Sequence, residues 1–295
     1  MNKGTWYALS AYTLWGLLPI YWKWLAAVPA LEILAHRVVW SLLFLLAILS
    51  YRRYWQWLPL LKEWRVAATF LATTILLFIN WYVFIWAINA GYIVEASLGY
   101  FINPLVNVLL GMLFLGERLR QWQWLAIGFA LLGVGYLTIS YGSLPWIGLT
   151  LAFSFGFYGL LRKTAKLDAL AGLSTETAVL LLPAPAYLFW LEGQQTAAFL
   201  HSDATTNFLL LFAGVVTAIP LLLFSLGARR VTMTTLGILQ YIAPTLQFML
   251  GVYVYGEAFT TERLIGFAFI WTALAIYTLE LFINGRRQRQ LAYGD

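Results

Sequence analysis

Residues 84–134 read FIWAINAGYIVEASLGYFINPLVNVLLGMLFLGERLRQWQWLAIGFALLGV. One apolar block fills 94–115 and a second opens at 122, parted only by a short run holding Gly116, Glu117, Arg118 and Arg120. A helix rising 1.5 Å per residue needs roughly 20 apolar residues to cross the hydrocarbon core of a bilayer. The stretch therefore predicts two membrane-crossing helices joined by a tight charged loop.

The same reading extends over the whole chain. Ten blocks are separated by short polar, charged or Gly/Pro-containing breaks, at 4–25, 31–50, 66–88, 94–115, 122–140, 146–162, 174–192, 207–228, 232–255 and 264–284. The composition agrees, with 62% hydrophobic and 10% charged residues, against about 25% charged in an ordinary soluble domain. Many of the 15 Trp sit near block ends, where an indole can lie at headgroup level with its N–H wetted. The first block follows Lys3 closely, as a signal peptide would, but its length exceeds the 7–15 residues of a signal-peptide core and it is expected to be retained.

Basic residues accumulate on the cytoplasmic side of membrane proteins. With the N-terminus inside, inside connections hold Lys3, Arg52, Arg53, Lys62, Arg65, Arg118, Arg120, Arg162, Lys163, Lys166, Arg229, Arg230, Arg286, Arg287 and Arg289, which is 15 of the 18 Lys and Arg. Outside connections hold Arg263, while Lys23 and Arg37 fall within spans. Both termini are thus expected in the cytoplasm, with 285–295 as a basic tail. The basic balance follows from topology, so nucleic-acid binding is not needed to explain it.

Sliding the chain on itself by 140 residues brings Gly16 onto Gly156, Lys23 onto Lys163, Pro104 onto Pro244, Gly111 onto Gly251, Gly116 onto Gly256 and Glu117 onto Glu257. The matches divide the chain into repeats at 1–140 and 146–284. Five helices per repeat is an odd number, so the two halves cross the bilayer in opposite senses. That inverted plan recurs in secondary transporters, which hold substrate near the midplane where the halves meet.

The elements EASLGYFINPLVN and GERL, with the earlier run WGLLPIYWKWLAAVPALEILAHRVVW at 15–40, resemble the RarD branch of the EamA-type transporters in the drug/metabolite transporter superfamily. The resemblance covers nearly the whole chain and is strongest in its first half. It implies a ten-helix fold of two inverted five-helix repeats, multi-pass in the inner membrane, with a central cavity open alternately to either side. A small metabolite or drug-like solute would be the substrate.

Several polar side chains fall inside spans. Arg37 lies about six residues, roughly 9 Å, into the second span. Facing lipid there would cost about 2.5–3.5 kcal/mol, so it is expected to face protein, water or headgroups. It either contacts an anionic group in the cavity or pairs structurally with a carbonyl, and Lys23 is a second candidate cation. Glu32 and His36 share a helical face at i,i+4, as a proton relay or a structural pair would. Glu32, Glu95 and Glu176 all fall near span ends, so no carboxylate is expected deep in the membrane.

Tyr100, Asn103 and Asn107 form one face of the fourth helix, and Gln240 and Gln247 are repeat counterparts of Tyr100 and Asn107 on the ninth. Amide-bearing faces in both halves suit a shared polar cavity, and interhelical hydrogen bonding is the plainer alternative. Tyr82, Trp86 and Asn89 form a second one-faced set, with Trp15 and Tyr158 in related regions of the first and sixth helices. Such aromatic walls suit a moderately apolar or zwitterionic solute. Gly128, Gly133 and Gly135 are expected to be close-packing positions.

No cofactor or metal is expected: cysteine is absent and the two histidines, His36 and His201, lack metal-ligand spacing. A phosphate-cradling GKS/GKT loop is also absent, so the chain is not expected to hydrolyse ATP by itself. Two alternatives stand beside a solute carrier. One is a lipid or lipid-linked flippase; the other is an intramembrane enzyme, for which the sparse acids and histidines offer no convergent set.

Overall fold

The computed structural model describes residues 3–116, 119–228, 230 and 239–292. Glu117, Arg118, Arg229 and the opening of the ninth expected span thus lie outside the described residues, as does the C-terminal tripeptide. All regular elements among the described residues are helical.

The helices are α1 (Lys3–Trp24), α2 (Ala30–Arg52), α3 (Trp64–Asn89), α4 (Ile93–Leu115), α5 (Gln121–Tyr141), α6 (Trp146–Thr164), α7 (Ala169–Leu180), α8 (Pro183–Gly193), α9 (Ala204–Ala228), α10 (Ile242–Met249) and α11 (Thr261–Ala292). A short 3₁₀ turn, Leu58–Lys62, lies between α2 and α3, and a π turn, Leu250–Val254, continues α10. Among the described residues, seven helical segments are long and apolar enough to cross a membrane: α2, α3, α4, α5, the α7–α8 pair, α9 and α11. Shorter apolar helices occur at 146–162 and 242–254. Large apolar side chains stay exposed on the outside of the bundle, among them Leu131, Ile139, Leu182 and Phe189. Such a surface fits hydrocarbon as its solvent.

Two expected boundaries are corrected. The span placed at 174–192 begins at Ala169, where the Asp168 carboxylate accepts from the Ala171 N–H and caps the helix. It then breaks at Leu181 and Leu182, and Pro183 opens α8 at a position where its missing N–H costs nothing. The last helix continues to Ala292, so most of the expected basic tail is helical.

Close helix crossings set the interior. A Cβ on Gly99 would meet the Gly148 backbone, which lets α4 and α6 approach at the closest range. Gly16 of α1 packs on Leu246 of α10, and Gly156 of α6 packs on Val106 of α4, with 2.8 Å to the added Cβ position in both. In each case the contact joins helices from opposite halves of the sequence. Helix neighbours follow a matching pattern: α1 packs on α9 and α10, α6 on α3 and α4, α2 on α9, α7 on α3, and α5 on α11. Of the three expected packing glycines in α5, only Gly133 meets a neighbour, the Gly266 carbonyl and Phe269 of α11. Gly128 and Gly135 have open space where a side chain would stand, so the expectation fails for those two.

Carboxylates fasten the end of the bundle that carries Trp24. Glu257 accepts from the N–H groups of Ile93 and Val94, at 2.7 and 2.8 Å, at the positive end of α4. Glu95 does the same for Ile147 at the start of α6 (3.1 Å). At the opposite end the Tyr54 hydroxyl donates to Asp168 (2.6 Å), Lys166 pairs with Glu63, and Arg120 pairs with Glu280.

Candidate functional site

Arg37 stands seven residues into α2, roughly 10 Å along its axis from Ala30. It is only 4% exposed. Its guanidinium carbon lies 3.9 Å from the ring centre of Trp81 on α3 and 5.3 Å from that of Trp22 on α1. Two indoles thus supply cation–π attraction of about 2 kcal/mol or more each when desolvated. Nε and Nη1 have no hydrogen-bond partner. The Tyr100 phenol of α4 lies within electrostatic reach.

From Tyr100 a polar thread continues inward. Its hydroxyl donates to Asn80 Oδ1 (3.4 Å), and Asn80 Nδ2 donates to the Leu151 carbonyl and to Ser154 Oγ of α6, both at 3.1 Å. One turn along α4, Asn103 Nδ2 donates to the Ala152 carbonyl (3.0 Å). Its Oδ1 accepts from Asn107 (3.1 Å) and from Gln240 (3.2 Å). Fully buried Asn103 is therefore the point where α4, α6 and the Gln240 segment join. Gln247 Nε2 donates to the Trp15 carbonyl (3.2 Å), while its Oε1 is buried without a partner.

Aromatic contacts carry the thread further. Tyr100 meets Phe84 and Phe155, and Phe155 meets Tyr158. The Tyr158 hydroxyl donates to Glu176 Oε2 (3.2 Å). Across from that carboxylate stands Arg162, with Nη1 3.9 Å from Glu176 Oε1. Glu176 is 0% exposed and lies seven residues into α7, again roughly 10 Å from the helix start. The expectation that no carboxylate lies deep in a helix is thus overturned, because α7 starts five residues before the apolar block does.

Other expected site residues are placed apart from this thread or hold local partners. Lys23 donates to the Ile88 carbonyl (3.0 Å) and stands over Tyr255. Trp15 packs with Tyr12 and Phe224. Tyr82 stacks on Phe78, and Trp86 lies between Tyr92 and Trp146. Asn89 keeps both amide atoms buried and unpartnered. Glu32 and His36 share a face but do not bond to each other. Glu32 Oε1 accepts from the Ala198 and Phe199 N–H groups, at 2.7 and 3.2 Å. His36 Nδ1 accepts from Trp40 Nε1 (3.2 Å) and its ring packs on Phe199.

Sequence reasoning missed Asn80, Trp22, Trp81, Arg162 and the depth of Glu176. Asn80 carried a signal: it is a lone amide inside the apolar run LLFINWYVF at 76–84.

Known proteins resemble this chain over most of its length. The EamA-like transporter family model matches residues 2–139. An uncharacterized transporter of Vibrio cholerae is 50% identical over 98% of this chain and 96% of its own. Protein RarD of Escherichia coli K12 is 46% identical over 97% of both chains. The chloramphenicol-sensitive protein RarD of Pseudomonas aeruginosa is 36% identical over 93% of both. A protein of known crystal structure, 22% identical, superposes with a TM-score of 0.61 over 94% of this chain and 98% of that one, a likeness of fold. On the strength of these relatives, the chain belongs to the EamA-like transporter family, in the RarD branch of the drug/metabolite transporter superfamily.

Proposed function

We propose that the chain is a secondary carrier that alternates access to one central site and moves a small solute bearing an anionic group across the inner membrane. The observation that carries this reading is Arg37. It is buried between two indoles, with two guanidinium nitrogens unpartnered. A buried cation lacking a carboxylate is costly unless a ligand supplies the counter-charge. In this reading Arg37 binds the anionic group, and Tyr100, Asn103, Asn107, Gln240 and Gln247 supply directional hydrogen bonds. Trp15, Tyr82, Trp86, Asn89, Tyr158 and Lys23 form the surrounding walls and rim.

The chain crosses the bilayer ten times as two inverted repeats, counting α7 and α8 as one crossing, with both termini cytoplasmic. Support comes from the paired Gly16–Leu246 and Gly156–Val106 contacts, which are 140 residues apart at both partners. Exchanging the halves also carries each of the main helix pairings into another. The lysine and arginine bias supports the orientation. Glu32 and His36 form the ionisable pair of the outer mouth, with Glu32 Oε2 and His36 Nε2 free to take part in a relay. Among the described residues no set of convergent catalytic groups accompanies the thread, and transport without chemistry is proposed.

A second reading, lipid translocation, rests on an apolar cleft of about 410 Å³ between α2 and α7, bounded by Leu46, Trp55 and Leu182. Leu182 is 83% exposed, so the cleft opens on the hydrocarbon side. One experiment separates the readings: purified protein is screened by thermal shift against soluble carboxylates, phosphates and zwitterions, and against phospholipids in mixed micelles. Stabilisation by a soluble anion that is lost in Arg37→Gln supports the carrier. Stabilisation by phospholipid alone, unchanged in Arg37→Gln, supports the second reading.

A further inference from the structure

We propose that Glu176 is a proton-binding site that couples protonation to opening of the bundle at the end carrying α6's C-terminus and α7's N-terminus; as a coupling device it rests on the carrier reading above. The geometry points there from three directions. First, the carboxylate is fully buried, and an ionisable group at such depth needs a partner or a function. Second, its pairing is incomplete. Glu176 Oε1 and Arg162 Nη1 face each other at 3.9 Å, and neither has any hydrogen-bond partner. The gap is too wide for a hydrogen bond.

Third, the pair ties the last turns of α6 to the interior of α7, two segments that form this end of the bundle. Arg162 belongs to the last turns of α6, and its Nη2 donates to the Asp168 carbonyl at the head of α7 (3.0 Å). Gly172 leaves room for the guanidinium, since a Cβ there would overlap Nη1. The break at Leu181 and Leu182 lies five residues beyond Glu176 and gives α7 a hinge independent of α8.

The groups facing the carboxylate are few. Arg162 and Tyr158 come from α6, and the Thr73 hydroxyl from α3. Thr73 donates its own hydrogen to the Phe70 carbonyl (3.1 Å). Of the other helices packed on α7, α9 carries no titratable side chain. On α2, Glu32, His36 and Arg37 hold the contacts already described, and Arg52 is exposed.

The step is a proton transfer with no other reactant. A proton from water adds to Oε1 and converts the carboxylate to a neutral acid. Tyr158 continues to donate to Oε2, and Arg162 keeps its charge but loses its counterion. The ionic part of the tie between α6 and α7 is then gone, with the Tyr158–Glu176 and Arg162–Asp168 hydrogen bonds left, and that end loosens toward opening. Deprotonation restores the tie.

The test uses purified full-length protein in lipid without substrate, and two readouts. Infrared difference spectra between acidic and alkaline pH should show a protonated-carboxyl C=O band that is absent in Glu176→Gln. In Tyr158→Phe the band should move to higher frequency, because its carbonyl loses a donor. Hydrogen exchange, corrected for its intrinsic pH dependence, should speed up roughly tenfold over 158–180 as the pH falls in the parent protein. In Glu176→Gln it should be fast at every pH. A set of carboxyl bands from which Glu176→Gln removes none overturns the proposal. So does exchange over 158–180 whose pH profile matches in parent and variant. If Glu176→Gln does not fold, the frequency shift in Tyr158→Phe decides alone. Neither readout involves Arg37 or a transported solute, so failure of the carrier reading would leave these results standing.

Discussion

Single polar residues hold the centre together, and Asn103 is the most connected of them. Its amide donates to one helix's carbonyl and accepts from Asn107 and Gln240. Replacing it with Ala orphans the Ala152 carbonyl contact and two amide donors. Asn103→Ala should destabilise by about 1–3 kcal/mol, and its melting temperature in detergent should fall well below that of Asn107→Ala, whose side chain is exposed.

Glu257 gives a pH-dependent counterpart outside the helices. Burial pushes its carboxyl above the ordinary range, and the opposing pull of the Val94 and Ile93 N–H groups is the smaller effect. A folded-state value above the unfolded one means the folded form binds the proton more tightly. Its contribution to stability is therefore fully present below the ordinary carboxylate range, and is lost as the pH rises through the raised value. Melting temperature against pH should show this decline in the parent protein, and Glu257→Gln should flatten it.

At the scale of elements, small residues decide which helices meet. Gly99 and Gly148 let the α4 and α6 backbones touch, so Gly99→Ala must push the two helices apart or distort them. The expected cost is about 2 kcal/mol or more, with loss of the nearby Asn103–Ala152 hydrogen bond. Gly128→Ala has open space and should be neutral or stabilising by about 0.5–1 kcal/mol. Thermal melts of the two variants side by side would check the contrast.

Elements also show where sequence reading succeeds and stops. Block lengths located α2 to α5 within a few residues, because a long apolar run must be a helix in lipid. The start of α7 was hidden because Ala169–Leu173 is small and apolar without standing out from its loop, while the cap at Asp168 is a single residue. That five-residue difference moved Glu176 from a helix end to the interior. Likewise, i,i+4 spacing put Glu32 and His36 on one face, yet Glu32 Oε1 is taken by N–H groups at 198 and 199. Such contacts, more than 160 residues away in sequence, leave no local trace. Arg37 was legible as an intramembrane cation, whereas its cage was not: Trp22 and Trp81 are two among 15 Trp with nothing to mark them.

Over the whole molecule, the two halves are held by exchanged contacts: α1 packs on α10, and α6 on α4. Carboxylates clasp one end through backbone N–H groups, and ion pairs clasp the other. A bundle fastened at both ends around a polar thread suits a carrier that releases one end at a time. Family membership gives the transporter class, while the proposal of an anionic solute rests on Arg37.

Transport itself tests whether Arg37 receives an anionic solute. A soluble anion that stabilises the purified protein should be offered to proteoliposomes containing the parent chain, Arg37→Lys or Arg37→Gln, with its uptake and chemical identity followed. Intact solute should accumulate in parent vesicles, with uptake reduced about tenfold or more in Arg37→Gln and partly retained in Arg37→Lys, which keeps the charge but loses the planar fork. Equal uptake by parent and Arg37→Gln vesicles, or recovery of a chemically altered compound, would contradict it.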